Sequence, residues 1–462
     1  MPIRVSQVTE AQSLVSSAPR APADTQSGRA IAKMLRENAL LAFPPQAFEE
    51  EVVFRSFFGR QQIILNRPRG IHHILVENPQ NYGRTRGTIR MLRPLLGNGL
   101  LLSEGEDWKH QRRTVAPAFA PRTIPLLARH VAIAADGVVA RLAAFAESEV
   151  DLLAAMQALA LEIAGTSMFS LAMERHRPEL RDLMIRYAAG IGRPTMLDFL
   201  LPLAIPSPRD LLRRRVRRRW IKLIGRIIAD RQDKAPQAAP GDLFDLLSTA
   251  RDPETGAPIS ADDLVDQVAT LIAAGHETTG VALSWSLYLI AAAPAVQERL
   301  AGEVTALELG PDAADAILPH LVYTRAVVHE ALRLYPPAYA IVRQARRDDN
   351  VDGIEVPAGS IVFIAPWVLH RHRRLWVQPD VFDPARFLPG MPAPDRFTYL
   401  PFGIGPRVCI GAQFALTEAT LVLAKMIKAF EIGRADTGSV TPIGIITTQP
   451  DRPPLFRLRR RH

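Results

Sequence analysis

The chain contains one cysteine, and its setting suits close approach to a partner. Cys409 lies in Phe402-Gly403-Ile404-Gly405-Pro406-Arg407-Val408-Cys409-Ile410-Gly411. Three glycines and a proline in ten residues predict a tight loop whose backbone can press against something. The pattern that follows predicts a helix beginning at once. The thiol would then face unpaired backbone N–H groups and the positive end of a helix dipole, both of which favour the thiolate. Arg407 adds a positive charge two residues away. A thiolate either attacks carbon with the help of a base or ligates a metal cofactor. No histidine adjoins it in sequence, although a base could come from elsewhere in the fold. A buried structural cysteine is the ordinary alternative, and the glycine-framed loop ahead of a helix argues against it. With a single cysteine, an intramolecular disulfide, a Cys-rich zinc site and an iron–sulfur cluster are all excluded.

A second group of residues interrupts an apolar stretch: Ala274-Gly275-His276-Glu277-Thr278-Thr279. Polar side chains buried without partners cost several kcal/mol in order of magnitude, so they need a reason. A threonine can bond back to the carbonyl four residues earlier and merely bend its helix. A functional site is the other reason.

The elements that must carry these residues can be read from periodicity. Ser260 is a candidate N-cap, Asp262 and Asp263 suit a first turn, and helical spacing runs to about residue 293, before Pro294. Such a helix spans roughly 45 Å and, being apolar on most sides, belongs in the middle of the molecule. A further helix is expected over 321–334, stopping before Pro336-Pro337, and a last one over 412–430. Strand-like segments at 51–58 and 61–65 suggest a hairpin, with short strands at 340–344 and 361–364. Residues 236–241 form a Pro-bearing break, and 1–34 a flexible arm. The expectation is a mainly α chain with a small β region, folded over 35–462 as one domain.

The balance of charge is basic, with 56 Lys and Arg against 47 acidic residues. Arg213-Arg214-Arg215-Val216-Arg217-Arg218-Arg219 could mark a nucleic-acid or membrane surface. The run continues into Trp220, Leu223, Ile224 and Ile227, which reads instead as a helix with an apolar inner stripe and a solvated basic face. The longest apolar stretch contains Asp266, Gln267, His276 and Glu277, unlike a membrane span. A cytoplasmic protein without a membrane anchor or nucleic-acid partner is expected.

Phe402-x-x-Gly405-x-Arg407-x-Cys409-x-Gly411 resembles the haem-binding signature of the cytochrome P450 family, with every position filled. Ala274-Gly275-x-Glu277-Thr278 is similar to that family's oxygen-binding motif. Glu330-Ala331-Leu332-Arg333 with Arg386 resembles its structural network, and Trp108-Lys109-His110-Gln111-Arg112 its Trp-x-x-x-Arg motif. The family commonly has Glu where Ala385 stands here. The resemblance covers roughly residues 35–460. It implies a helical prism holding haem b between the long helix and the cysteine helix. Cys409 would be the axial ligand, pushing electron density toward iron. Arg407, Arg112, Trp108 and Arg343 would bind the propionates, Phe402 would pack by the sulfur, and Ala274 would leave room for oxygen and substrate. Thr278 would steady dioxygen and relay protons, with Glu277 bringing them from solvent.

That resemblance further implies a monooxygenase acting on a hydrophobic small molecule, beside a pocket that includes Ala273, Ala274, Ala338, Ala340, Ile341 and Ile445 or Ile446. Electrons would come from NAD(P)H through a separate ferredoxin or flavodoxin and its reductase, since the chain ends soon after the cysteine helix. Arg113, Lys425 and Lys428 are candidates for receiving that acidic partner. The protein is expected to be a monomer. A peroxide-driven peroxygenase and a haem sensor without turnover are the competing readings. His370 and His372 look like a metal pair but are expected to be structural.

Overall fold

The computed structural model describes residues 28–461 apart from 58, 146, 171–172, 234–241 and 437, together with residues 16, 18 and 19. Most of the expected arm, and the break at 236–241, therefore lie outside the described residues. A helix at Gly28–Glu37 crosses the boundary expected at residue 34.

The central helix is Ala261–Ala291, 31 residues long. It starts where the sequence can satisfy its free N–H groups: Ser260 Oγ accepts from Asp263 N at 3.1 Å. Its two halves belong to different cores. Val268, Ala269 and Ile272 pack with Trp220, Leu223, Ile224 and Ile227. Val281, Leu283, Trp285, Leu287 and Ile290 pack with Val327, Leu421, Leu423 and Ile427. Ala274 and Gly275 lie at the seam between these cores, and both are exposed in the middle of a helix that is otherwise largely buried.

Helices Ile124–Ala143 and Leu152–Phe169 lie against this frame. Both are long and apolar enough to cross a bilayer, yet they contribute Ala128, Val131, Leu152, Met156 and Leu159 to the core. The basic run lies in the helix Pro208–Gln232, capped by the reciprocal pair Ser207 and Asp210. Its inner stripe is as the spacing predicts, with one correction. Arg213 does not belong to the solvated face: it is buried, and its Nη2 is 3.0 Å from Asp198 Oδ2.

The expected hairpin is present, Val52–Phe57 pairing antiparallel with Arg60–Leu65 around Gly59, whose φ of 75° suits glycine. It forms a five-stranded sheet in the order Val52–Phe57, Arg60–Leu65, Ile361–Ile364, Ile341–Ala345, Tyr82–Gly83. The second contact is parallel and the others antiparallel. Glu149–Asp151, Leu455–Arg460 and Phe430–Arg434 make a three-stranded sheet. A small hairpin, Pro442–Gly444 with Thr448–Pro450, lies near the central helix. The chain is mainly helical with small sheets, as expected.

Candidate active site

Cys409 ends a loop that closes on itself. Its N–H donates to the Phe402 carbonyl at 2.9 Å, and Val408 N donates to Gly405 O at 3.0 Å. Helix Ala412–Ala429 begins three residues later. The loop is braced from behind at Gly405, which has φ 77°. A Cβ there would lie 2.1 Å from the carbonyl oxygen of Leu75, so only glycine fits. Burial pushes the Cys409 thiol up, with the Gly411 N–H and the Arg112 charge pulling the other way. Burial therefore works against the helix start and Arg112, which favour the thiolate. A bound metal would tip that balance, because it deprotonates a coordinating thiol outright.

Although protein surrounds it, Cys409 is exposed, as are Ala274 and Gly275. Exposed atoms at that depth border an internal hollow. Beyond chain neighbours and its own helix backbone, no atom of the described residues lies within 4 Å of where a Gly275 Cβ would stand, and a Gly403 Cβ would meet Ile341 Cδ1 at 3.7 Å.

One edge of the site holds more positive charge than the protein balances. Arg343 is pulled down to about 10 by burial and by Arg407. Arg84 is pulled down to about 9 by burial and by Arg407 and Arg343. Glu104 is the acid that opposes them, 3.8 Å from Arg84 and also paired with Arg346. Among the described residues, the hydrogen bond of Arg343 Nη1 goes to the neighbouring Val342 carbonyl, at 3.0 Å. Arg407 donates to Ser103 O at 3.0 Å, and its guanidinium lies 4.4 Å from the centre of the Trp108 ring. Arg112 donates to Val408 O at 3.0 Å, tying helix Gly105–Val115 to the cysteine loop. Buried guanidiniums in excess of their carboxylates call for an anionic ligand. Arg84 was not singled out in the sequence, where nothing marks Gly83-Arg84-Thr85.

The oxygen-side residues are held as follows. Thr278 Oγ1 donates to the Ala274 carbonyl at 2.6 Å, the back-bonded geometry of a helical threonine. Glu277 is buried and turned to the small hairpin rather than to solvent. Its Oε1 accepts from Thr447 Oγ1 at 2.8 Å and from Gln449 Nε2 at 2.7 Å. Burial pushes its carboxyl up against the pull of those two donors.

Away from the hollow, Glu330, Arg333 and Arg386 come together. Arg333 also donates to the carbonyls of His370, Pro379 and Val381. Arg386 Nε is 3.5 Å from Glu330 Oε1. His370 Nδ1 lies 3.2 Å from Arg333 O, and its Nε2 accepts from Leu400 N at 2.8 Å. That fixes one neutral tautomer, and burial lowers its pKa to about 3. His372 bonds the backbone at Glu50 and Arg374. Neither ring nitrogen pair is free for a metal, and among the described residues no cluster of three His, Cys, Asp or Glu could hold one.

Two of the cations expected to meet a redox partner are already engaged. Arg113 pairs with Asp252 at 2.9 Å and with Glu254 at 3.2 Å. Lys425 is buried against Asp136 at 2.5 Å. Their spacing in sequence gave no hint of these partners. Lys428, which is exposed, donates to Leu307 O.

A lone thiol with accessible surface, an arginine-rich edge and exposed small residues on the central helix fit a planar macrocycle bearing two carboxylates. The family model for cytochrome P450 matches residues 43–450. The chain belongs to the cytochrome P450 family. This P450 is 36% identical to cyclooctatin synthase and 32% identical to cyclooctat-9-en-7-ol 5-monooxygenase, both of Streptomyces melanosporofaciens. The alignments span 77% and 79% of each pair of chains respectively. It is 29% identical to a cytokinin hydroxylase of Arabidopsis thaliana over 84% of this chain and 77% of the relative. As a P450 it is a haem-dependent monooxygenase.

Proposed function

We propose that this P450 hydroxylates an apolar organic molecule, with electrons supplied from NAD(P)H through a separate ferredoxin or flavodoxin and its reductase. The observation that carries the reading is the interior surface left at Cys409, Ala274 and Gly275, at the seam between two cores. Ala274, Gly275 and Ile341, whose Cδ1 lies nearest a Gly403 Cβ, are small or aliphatic and favour an apolar occupant. An alicyclic alkenol, such as the cyclooctat-9-en-7-ol in the name of one Streptomyces relative, is the first candidate.

When bound, haem supplies the iron centre at which dioxygen is activated. The chain does the rest. Cys409 Sγ would hold the iron, and Arg84, Arg112, Arg343 and Arg407 would hold the propionates with help from Trp108 Nε1. Phe402 closes the cysteine loop through its carbonyl. Ala274 and Gly275 would leave space for oxygen and substrate. The Thr278 hydroxyl rotates from the Ala274 carbonyl to donate toward that space, and Glu277 holds the proton that follows.

A panel of alicyclic alkenols and fatty acids, read by the shift of the Soret band and then by product analysis, tests the assignment. A Soret shift and one added oxygen in the product are expected with an alkenol. Shifts and products confined to fatty acids would overturn the substrate class. Full turnover with hydrogen peroxide alone, unchanged in Thr278→Ala, would make the protein a peroxygenase instead.

A further inference from the structure

We infer that Thr447 and Gln449 are positioning residues that fix which oxygen of Glu277 carries its proton. The inference rests on the monooxygenase reading and extends it to an element 170 residues away in sequence.

The Thr447 hydroxyl and the Gln449 amide both donate to the same atom, Glu277 Oε1, and Gln449 Nε2 also lies 3.3 Å from Thr447 Oγ1. A carboxyl group that accepts two hydrogen bonds on one oxygen keeps its acidic hydrogen on the other. Oε1 is thus the carbonyl-type oxygen, and Oε2 is the donor. Among the described residues no charged neighbour contributes to the titration of Glu277. The groups that act on it are those two donors, while burial opposes ionisation. His276, one residue back on the same helix, is itself held neutral by burial, with its pKa lowered to about 4.

The hairpin can impose this orientation because it is bolted down. Trp285 Nε1 donates to Thr448 O at 2.7 Å, and Thr448 Oγ1 donates to Pro336 O at 2.7 Å. At the end of its other strand, Gly444 N donates to Asn38 Oδ1 at 2.9 Å, and in the turn Tyr339 OH donates to Ile445 O at 2.9 Å. Donors fixed in this way need no rearrangement when charge develops on the carboxylate. The Oε2–H bond breaks, its proton passes to a water or hydroxyl in the hollow, and the two donors to Oε1 hold the negative charge. A proton from solvent water then restores the acid.

Thr447→Val combined with Gln449→Leu removes both donors while keeping the shape of the hairpin, and Thr447→Ser keeps the hydroxyl. The direct readout is the carboxylic acid C=O stretch of Glu277, identified by its loss in Glu277→Gln and measured on holoenzyme by infrared difference spectroscopy. In the double variant the band moves to higher frequency, as a carbonyl freed of hydrogen bonds does, and in Thr447→Ser it stays. Product formation falls about tenfold, with peroxide release rising, while the substrate dissociation constant from the Soret titration is unchanged. A band unmoved in the double variant overturns the inference, as does the absence of any protonated Glu277 band at neutral pH. The wild-type reduced carbonyl spectrum and product assay are read alongside. Their failure would strike the monooxygenase reading, whereas their success with an unmoved band strikes only this one.

Discussion

Arg333 grips Glu330 in complete burial, with Nε 2.6 Å from Oε2 and Nη2 2.7 Å from Oε1. A buried ion pair is tolerable only when its remaining hydrogen-bonding groups are also satisfied. Here they are. Three backbone carbonyls take the other guanidinium N–H groups, and Asp383 N donates to Glu330 Oε1 at 2.8 Å. The pair thereby ties helix Val322–Leu334 to the segment that runs on toward the cysteine loop.

Arg333→Lys keeps the charge but cannot reproduce two parallel bonds plus three carbonyl contacts. We expect a loss of about 3–5 kcal/mol in stability, seen as a lower urea midpoint and poor haem incorporation. Retention of the wild-type midpoint would show that the pair is incidental.

Cys409→Ser removes the only thiolate the chain can offer. Purified with haem, the variant should lose the absorption spectrum of its reduced carbonyl form that marks sulfur ligation. An unchanged spectrum would mean that another residue holds the iron.

Arg343→Gln should act with opposite signs in the two states of the protein. Without haem it relieves repulsion from Arg407, so the urea midpoint of haem-free protein should rise. With haem it deletes a propionate partner, so transfer of haem to an acceptor protein should quicken about tenfold. A fall in both measurements would argue against a charge-mediated role.

His276 is neutral in the fold, with a pKa lowered by burial to about 4, and it gains a proton near the usual histidine value on unfolding. Between those two values the unfolded chain binds more protons, so this group's contribution to stability falls as pH falls. It should amount to about 2 kcal/mol on going from roughly pH 7.5 to 5. Glu277, whose carboxyl is raised, works in the opposite sense, so the test is a comparison. His276→Gln should flatten the pH dependence of the urea midpoint by that amount, and an unaltered slope would refute it.

The parts of this protein that the sequence displayed are those in which function is compressed into a short run. The cysteine loop occupies ten residues, Glu277-Thr278 and the Glu330-Arg333 pair one turn or less each, and the long helix follows from its cap and periodicity. The hidden parts are contacts between distant segments. Glu277 meets Thr447 and Gln449 across 170 and 172 residues. Arg84 joins the arginine edge from the end of a two-residue strand. Lys425 and Arg213 look like surface cations on a helical wheel, but each is buried because an aspartate from another element reaches it.

Gly405 carries a last consequence. A methyl group on its Cα would overlap the Leu75 carbonyl oxygen, and relieving that overlap would require a displacement of about 1 Å. Such a displacement would carry the cysteine loop away from Leu75, so the position of the sulfur is set in part by a backbone oxygen in a segment that takes no part in the chemistry. Changes to the residues around Leu75 should consequently tune the iron–sulfur bond without touching either atom.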